Sequence, residues 1–225
     1  MQCVSHSFTH PGHIRMNNED AYFANDSSGL WIVCDGMGGH QEGNFASHLV
    51  TDIFEQVELR GSFDEKIEAI TSQFYNIHRI LQRKVHKLGS EAVIGTTLVL
   101  LLIEGENAAS IHSGDSRCYV HREGKLSMVT QDHARSIPSE HGERKALTRA
   151  LCAPGELSLE VKKFQTQSRD VFLLCSDGFY DNLSHNVIKE GMQISILEEG
   201  MNMMSSKVLS GVADDNLTAT LVGVR

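Results

Sequence analysis

Trp31-Ile-Val-Cys-Asp35-Gly-Met-Gly-Gly39 decides how the chain reads. The apolar run predicts a buried strand over Leu30–Cys34, ending on an aspartate. Glycines then let the backbone turn sharply and bring a main-chain carbonyl close to a ligand. Beyond them Ala46, Leu49, Val50, Ile53, Phe54 and Val57 recur at mostly three- and four-residue steps, which predicts a helix. A glycine break between strand and helix suits either a phosphate cradle or a metal ligand. The cradle lacks its usual spacings, Gly-x-Gly-x-x-Gly or Gly-Lys-Ser/Thr. An aspartate at the strand tip also repels phosphate unless a cation intervenes, so metal is the preferred reading.

Three further aspartates close apolar runs: Asp115 in Ser113-Gly-Asp-Ser-Arg117, Asp177 in Phe172-Leu-Leu-Cys-Ser-Asp-Gly178, and Asp215 in Asp214-Asp-Asn-Leu-Thr218. A carboxylate at the tip of a buried strand is costly unless positive charge meets it. Convergence of such groups predicts a hydrolase holding divalent cations in oxygen ligands. Hard oxygen donors suit Mg²⁺ or Mn²⁺ rather than zinc. Arg15-Met-Asn-Asn-Glu-Asp20 reads by itself as a loop salt bridge. Beside a metal cluster, the planar guanidinium of Arg15 becomes a clamp for phosphate oxygens. His6 and His10 have the four-residue spacing of a zinc pair, but that spacing needs a helix, and Gln2–Phe8 alternates like an edge strand.

The remaining pattern sets the fold class. Ala21–Ala24 and Leu30–Cys34 predict strands around the turn Asn25–Gly29. Phe63, Ile67, Ile70, Phe74, Ile77, Leu81, Val85 and Leu88 predict a long helix, with Ser62 and Glu65 forming a capping box. Thr96–Ile103, Ala108–His112, Arg117–His121 and Leu126–Val129 predict an antiparallel meander. Leu157–Phe164, Val171–Cys175 and Leu217–Val224 add strands. Asn182–Ser210 predicts helix, with Gly191 and Gly200 as interruptions and Met192, Ile196, Leu197, Met201, Met204, Val208 and Leu209 inward. Strands in runs and helices in pairs indicate α+β with antiparallel sheets.

The 225 residues, 40% hydrophobic and 22% charged, suit one domain over 1–225 with a good core. A net charge of −9 argues against nucleic acid. Arg79, Arg83, Lys84 and Lys87 read as a helix's wet face. No apolar run reaches the roughly 18 residues of a membrane span, and the start lacks a signal-peptide pattern. Five cysteines without a Cys-x-x-Cys pair suggest reduced thiols in the cytoplasm, with Cys34 and Cys175 in the core.

Taken in order, Arg15-x-x-Asn-Glu-Asp20, Asp35-Gly-Met-Gly-Gly39, Gly95-Thr-Thr97, Gly114-Asp-Ser-Arg117, Leu147-Thr-Arg-Ala-Leu151, Ser176-Asp-Gly178 and Asp215-Asn216 span essentially the whole chain. This set resembles the PPM (protein phosphatase 2C) class of metal-dependent serine/threonine phosphatases, its bacterial branch above all. The resemblance implies a four-layer α-β-β-α sandwich, two antiparallel sheets flanked by helix pairs. It implies that Asp35 bridges two Mn²⁺ or Mg²⁺ ions, that the Gly36 carbonyl ligates one, and that Asp177 and Asp215 complete the second. Glu19 would hold water from outside the ligand set, and Asp20 would support it. Asp115, with Asp177, would match a third, weaker ion. A hydroxide bridging two such cations would attack phosphorus in line, without a phosphoenzyme, while Arg15 stabilises the phosphoryl oxygens. The implied setting is a cytoplasmic monomer that removes phosphate from phosphoserine and phosphothreonine proteins and opposes a bacterial Ser/Thr kinase. A signalling or secretion-system regulator suits its compact form.

Two departures stand out. Met37 occupies the place where many eukaryotic relatives carry a histidine as proton donor, and His40 lies nearby. Between Asp132-His-Ala134 and Leu147-Thr148, residues 135–146 form a shorter flap than bacterial relatives usually carry, which exposes the site and bears on the third ion. The alternatives are a phosphomonoesterase for small molecules and a catalytically silent phosphoprotein-binding pseudophosphatase.

Overall fold

In a computed structural model of the chain, residues 2–38, 42–89, 92–139, 142–153 and 156–225 are described. Two antiparallel sheets carry the fold. One has the order β1 (Cys3–His10), β13 (Leu217–Val224), β12 (Val171–Cys175), β7 (Arg117–Arg122), β8 (Lys125–Met128). The other runs β11 (Glu160–Gln165), β6 (Asn107–Ser113), β5 (Leu98–Glu104), β3 (Leu30–Gly38), β2 (Asp20–Asn25), with β4 (Ile94–Thr96) paired to β3. Helices α1 (Glu42–Phe54) and α2 (Phe63–Leu88) cover the second sheet; α4 (His185–Gln193) and α5 (Leu197–Leu209) cover the first.

The two-residue period of the strands builds four layers. Leu30, Ile32 and Cys34 pack under α1 and α2, together with Leu98, Leu100 and Leu102. Their neighbours Trp31, Val33, Val99, Leu101 and Ile103 point the other way, against Phe172, Leu174, Val222 and Val224 of the facing sheet. Leu173, Cys175, Leu217, Ala219 and Leu221 turn outward again, beneath Met192, Met201, Met204 and Val208. Strands buried on both faces read as unbroken apolar runs. The α+β, four-layer expectation therefore holds.

The expected capping box is present: Glu65 N–H donates to Ser62 Oγ, and the Ser62 N–H donates to the Glu65 carboxylate. On α2, Arg79, Arg83 and Lys87 are exposed, and Lys84 sits 3.4 Å over the Phe45 ring, a wet face as expected. The five cysteines are free, with Cys34 and Cys175 buried. Among the described residues, no helix is long and apolar enough to cross a membrane.

Three expectations change. The meander is not one sheet: β6 pairs β5 and β11, whereas β7 pairs β12 and β8. The chain crosses between sheets at Ser113–Ser116, where Gly114 takes φ +120° and a Cβ would come within 2.6 Å of Thr97 Cβ. Of Leu157–Phe164 only the second half is strand, because Leu157 is drawn into the helix-side core. The break in Asn182–Ser210 falls at 194–196, with Ile196 exposed, rather than at the glycines. Gly191 and Gly200 let α4 and α5 approach: a Cβ on Gly200 would lie 2.4 Å from the Gly191 carbonyl oxygen. The stretch expected as a flap holds a hairpin, β9 (Ala134–Ser139) with β10 (Gly142–Leu147), which among the described residues pairs only with itself.

Candidate metal centre

One end of the sandwich gathers the strand-end carboxylates. Asp20 opens β2 and lies opposite Asp35 on β3 in the antiparallel register. Asp115 sits in the crossing turn between β6 and β7. Asp177 follows β12 at the start of α3 (Asp177–Tyr180), and Asp215 precedes β13. Arg15 and Glu19 come from the loop joining β1 to β2. Arg15, Glu19, Asp35, Gly36, Asp115, Asp177 and Asp215 line one cavity of about 460 Å³. Asp20 is buried outside that lining, where Ser176 Oγ donates to its carboxylate at 2.7 Å.

Backbone bonds fix the centre. Asp35 N–H donates to Thr97 Oγ1 at 3.1 Å, and Thr96 Oγ1 donates to the Asp35 carbonyl at 2.9 Å. Gly36 N–H donates to the Glu19 carbonyl at 3.2 Å. A Cβ on Gly36 would lie 2.3 Å from the Gly43 carbonyl oxygen and 2.4 Å from that of Glu19, so the close approach demands glycine. Asn216 staples the arginine loop: its Nδ2 donates to the Pro11 and Asn17 carbonyls, and its Oδ1 accepts from Glu19 N–H at 2.8 Å. Arg15 Nη2 donates to Asp215 Oδ2 at 2.9 Å.

The electrostatics are unfavourable for protein alone. Desolvation first, then the charges of Asp20, Asp177, Asp115 and Asp215, hold the Asp35 carboxyl well above its usual range. Burial pushes Asp20 up to about 7 despite hydrogen bonds from Ser176 and Thr218. Burial and the Asp115 charge push Asp177 up to about 6, against a hydrogen bond shared with Asp35. Among the described residues, no Lys, Arg or His forms an ion pair with Asp35 or Asp177. Oxygen ligands with unmatched negative charge fit hard divalent cations. Asp115 differs: Lys145 Nζ lies 2.7 Å from its Oδ2.

Two histidine sites fail as metal centres. His6 and His10 lie on β1, where four residues span about 13 Å. His112, His133 and Glu160 bring ligand atoms within 4.8 Å of one another. Gly114 N–H donates to His133 Nδ1 at 3.3 Å, however, which leaves the ring proton on Nε2, facing Glu160 Oε2 at 3.2 Å. A cation on Nε2 would need that proton on Nδ1, against the Gly114 N–H. Arg149 Nη1, 3.3 Å from Nε2, adds positive charge. In that tautomer His133 offers no lone pair toward Glu160 for an ion.

Met37 lines the cavity, and His40 lies outside the described residues. The sequence reading missed Lys145, which carries no local signal in Gly142-Glu-Arg-Lys-Ala-Leu147, and gave Asn216 no role beyond its motif.

The protein phosphatase 2C family model matches residues 11–221. Serine/threonine protein phosphatase PstP of Mycobacterium tuberculosis is 29% identical over 95% of this chain. The chain spans only 43% of that relative's length. A structure of the PstP catalytic domain with two manganese ions matches at TM-score 0.82 and 28% identity, covering 100% of this chain and 99% of that one. Serine/threonine phosphatase stp of Listeria monocytogenes is 28% identical, covering 95% of this chain and 93% of the relative. PppA, a key regulatory component of T6SS in Pseudomonas aeruginosa, matches at TM-score 0.92 and 29% identity, covering 100% and 99%.

Proposed function

The chain belongs to the protein phosphatase 2C family, and from that premise we propose that it hydrolyses phosphoserine and phosphothreonine in proteins, as a single domain over 1–225. The carrying observation is the convergence of Asp35, Asp177 and Asp215 on one cavity that Arg15 also lines, with no cation of the described residues paired to Asp35 or Asp177. Asp35, the Gly36 carbonyl, Asp177 and Asp215 hold Mn²⁺ or Mg²⁺. When bound, such cations neutralise phosphate charge and acidify coordinated water.

The remaining work falls to this chain's own groups. Arg15 leaves Asp215 to clamp two phosphoryl oxygens with its planar fork, which orients phosphorus and matches charge that grows on those oxygens. Glu19, held by Asn216 through its N–H, orients water. Asp20, fixed by Ser176, supports Asp35 from behind. Met37 and Leu147 give the cavity apolar walls and offer no proton. The chain acts as a monomer in the cytoplasm, a compartment its five free cysteines suit, and opposes a Ser/Thr kinase.

Hydrolysis of a phosphothreonine peptide with Mn²⁺ tests the reading. A kcat/KM well above that for a sugar phosphate is expected, with loss of activity in EDTA. Preference for the sugar phosphate would make it a small-molecule phosphomonoesterase. Peptide binding without turnover, and no Mn²⁺ uptake by calorimetry, would make it a binding module.

A further inference from the structure

Asp115 is a carboxylate of the centre that is both buried and already paired. Lys145 Nζ lies 2.7 Å from its Oδ2 and donates to Tyr180 Oη at 2.6 Å. That hydroxyl donates onward to the Asp115 carbonyl at 3.0 Å. The same ammonium is 3.5 Å from Asp132 Oδ2, whose carboxylate is already held by Arg117 through two bonds of 2.9 and 2.8 Å. An ammonium has three donors and no acceptor, and here each direction meets an oxygen. Asp115's side chain is 6% exposed, so this is not a freely solvated surface pair.

Lys145 arrives from outside the sandwich. It sits on β10, opposite Ser136 of β9, in a hairpin that among the described residues pairs with no other strand. An isolated two-stranded hairpin is marginal by itself. Its base is tied by Thr148 N–H to the His133 carbonyl and by His133 N–H to the Gly114 carbonyl. Lys145 is the tie further along, and together with Leu147 it puts the hairpin into the cavity wall.

Resting on the proposed function, we infer that Lys145 is the resident cation of Asp115: it fills the place of a third divalent ion and latches the hairpin against a two-ion centre. A divalent ion on Asp115 would have to displace the ammonium or sit beside it, and like charges so close repel strongly in a partly desolvated site. The donor set at Asp115 therefore does not fit an additional ion, although the family resemblance implies one. Lys145 acts through Asp115 and is a positioning residue.

The experiment is Mn²⁺ titration by calorimetry, with folding of each variant checked by circular dichroism. Two ions are expected for the wild-type chain, three for Lys145→Gln, and two again for Lys145→Gln combined with Asp115→Asn. A third ion in wild type, or only two in Lys145→Gln, would overturn the inference. Limited proteolysis of the metal-free chains reads the latch separately. Lys145→Gln should be cut within 136–146 about fivefold faster, the upper end for a partly exposed pair. If wild type takes up no Mn²⁺, the proposed function fails and proteolysis alone decides: faster cutting sustains the latch, and equal rates end it.

Discussion

The two walls of the cavity face the same problem and meet it differently. On one wall Asp35 and Asp177 lie together with no cation among the described residues, at the expense of raised proton affinity. On the other, Asp115 is more deeply buried yet carries Lys145 as its partner. One wall leaves charge unmatched, which is how a protein makes a place for ions it must recruit. The other satisfies its charge from within and leaves nothing to recruit. Burial of a carboxylate therefore does not by itself mark a place for an ion.

The largest effect should come from the unmatched wall. Asp35→Asn removes the central ligand and should lower kcat/KM on a phosphopeptide by about a thousandfold or more, the upper end for loss of one preorganised electrostatic group. The same substitution relieves like-charge repulsion in the metal-free chain. Its melting temperature in EDTA should rise by about 2 °C or more, since about 1 kcal/mol moves a chain of this size by about 2–4 °C. A fall in both quantities would mean that Asp35 is an ordinary structural carboxylate.

Arg15→Ala comes next. A guanidinium that clamps phosphoryl oxygens should be worth about a hundredfold in kcat/KM, with Arg15→Lys recovering only part, because a point charge lacks the fork. Arg15 is more than half exposed in its pair with Asp215, so the metal-free melting temperature should barely change. A large loss of stability with intact kinetics would reassign Arg15 to the Asp215 salt bridge alone.

The matched wall should answer with the opposite sign. Asp115→Asn leaves Lys145 partly buried against Tyr180 and Asp132. The metal-free chain should lose about 1 kcal/mol, discounted because the lysine is about one third exposed, or about 2–4 °C. If Asp35→Asn and Asp115→Asn shifted the melting temperature in the same direction, the contrast between the walls would be gone.

The carboxylates of both walls were legible in the sequence and the cation that matches Asp115 was not, for a physical reason. Asp35, Asp177 and Asp215 each end or adjoin a buried strand, and an apolar run that stops on a carboxylate announces itself in one dimension. The capping box at Ser62 and Glu65 is equally local. The crossing at Ser113–Ser116 is not, because β6 and β7 alternate alike whichever sheet each joins. The hairpin was hidden further: Ala134-Arg-Ser-Ile-Pro-Ser139 has no apolar alternation and carries a proline within the strand. Lys145 meets Asp115 only once that hairpin has folded across the turn, a contact no spacing encodes.

The smallest expected effect concerns pH. In the metal-free chain Asp20 titrates near 7 and Asp177 near 6, both raised above the ordinary aspartate value of about 3.9. Between those values the folded chain holds protons that the unfolded chain has released, so stability falls as pH rises through the window. Buried histidines act oppositely: burial lowers His112, which therefore favours the fold as pH rises toward about 6.5. His78 and His121 are lowered likewise, so the Asp20 contribution is read as a difference between wild type and Asp20→Asn. Scanning calorimetry in EDTA should show the wild-type melting temperature falling relative to that of Asp20→Asn between about pH 4 and about pH 7, the unfolded and folded values of Asp20. Mn²⁺ should abolish the fall, because cations on Asp35 and Asp177 supply the charge that protons supplied at lower pH. No difference between wild type and Asp20→Asn in EDTA would mean that Asp20 is relieved by some group within the chain, as Asp115 is by Lys145.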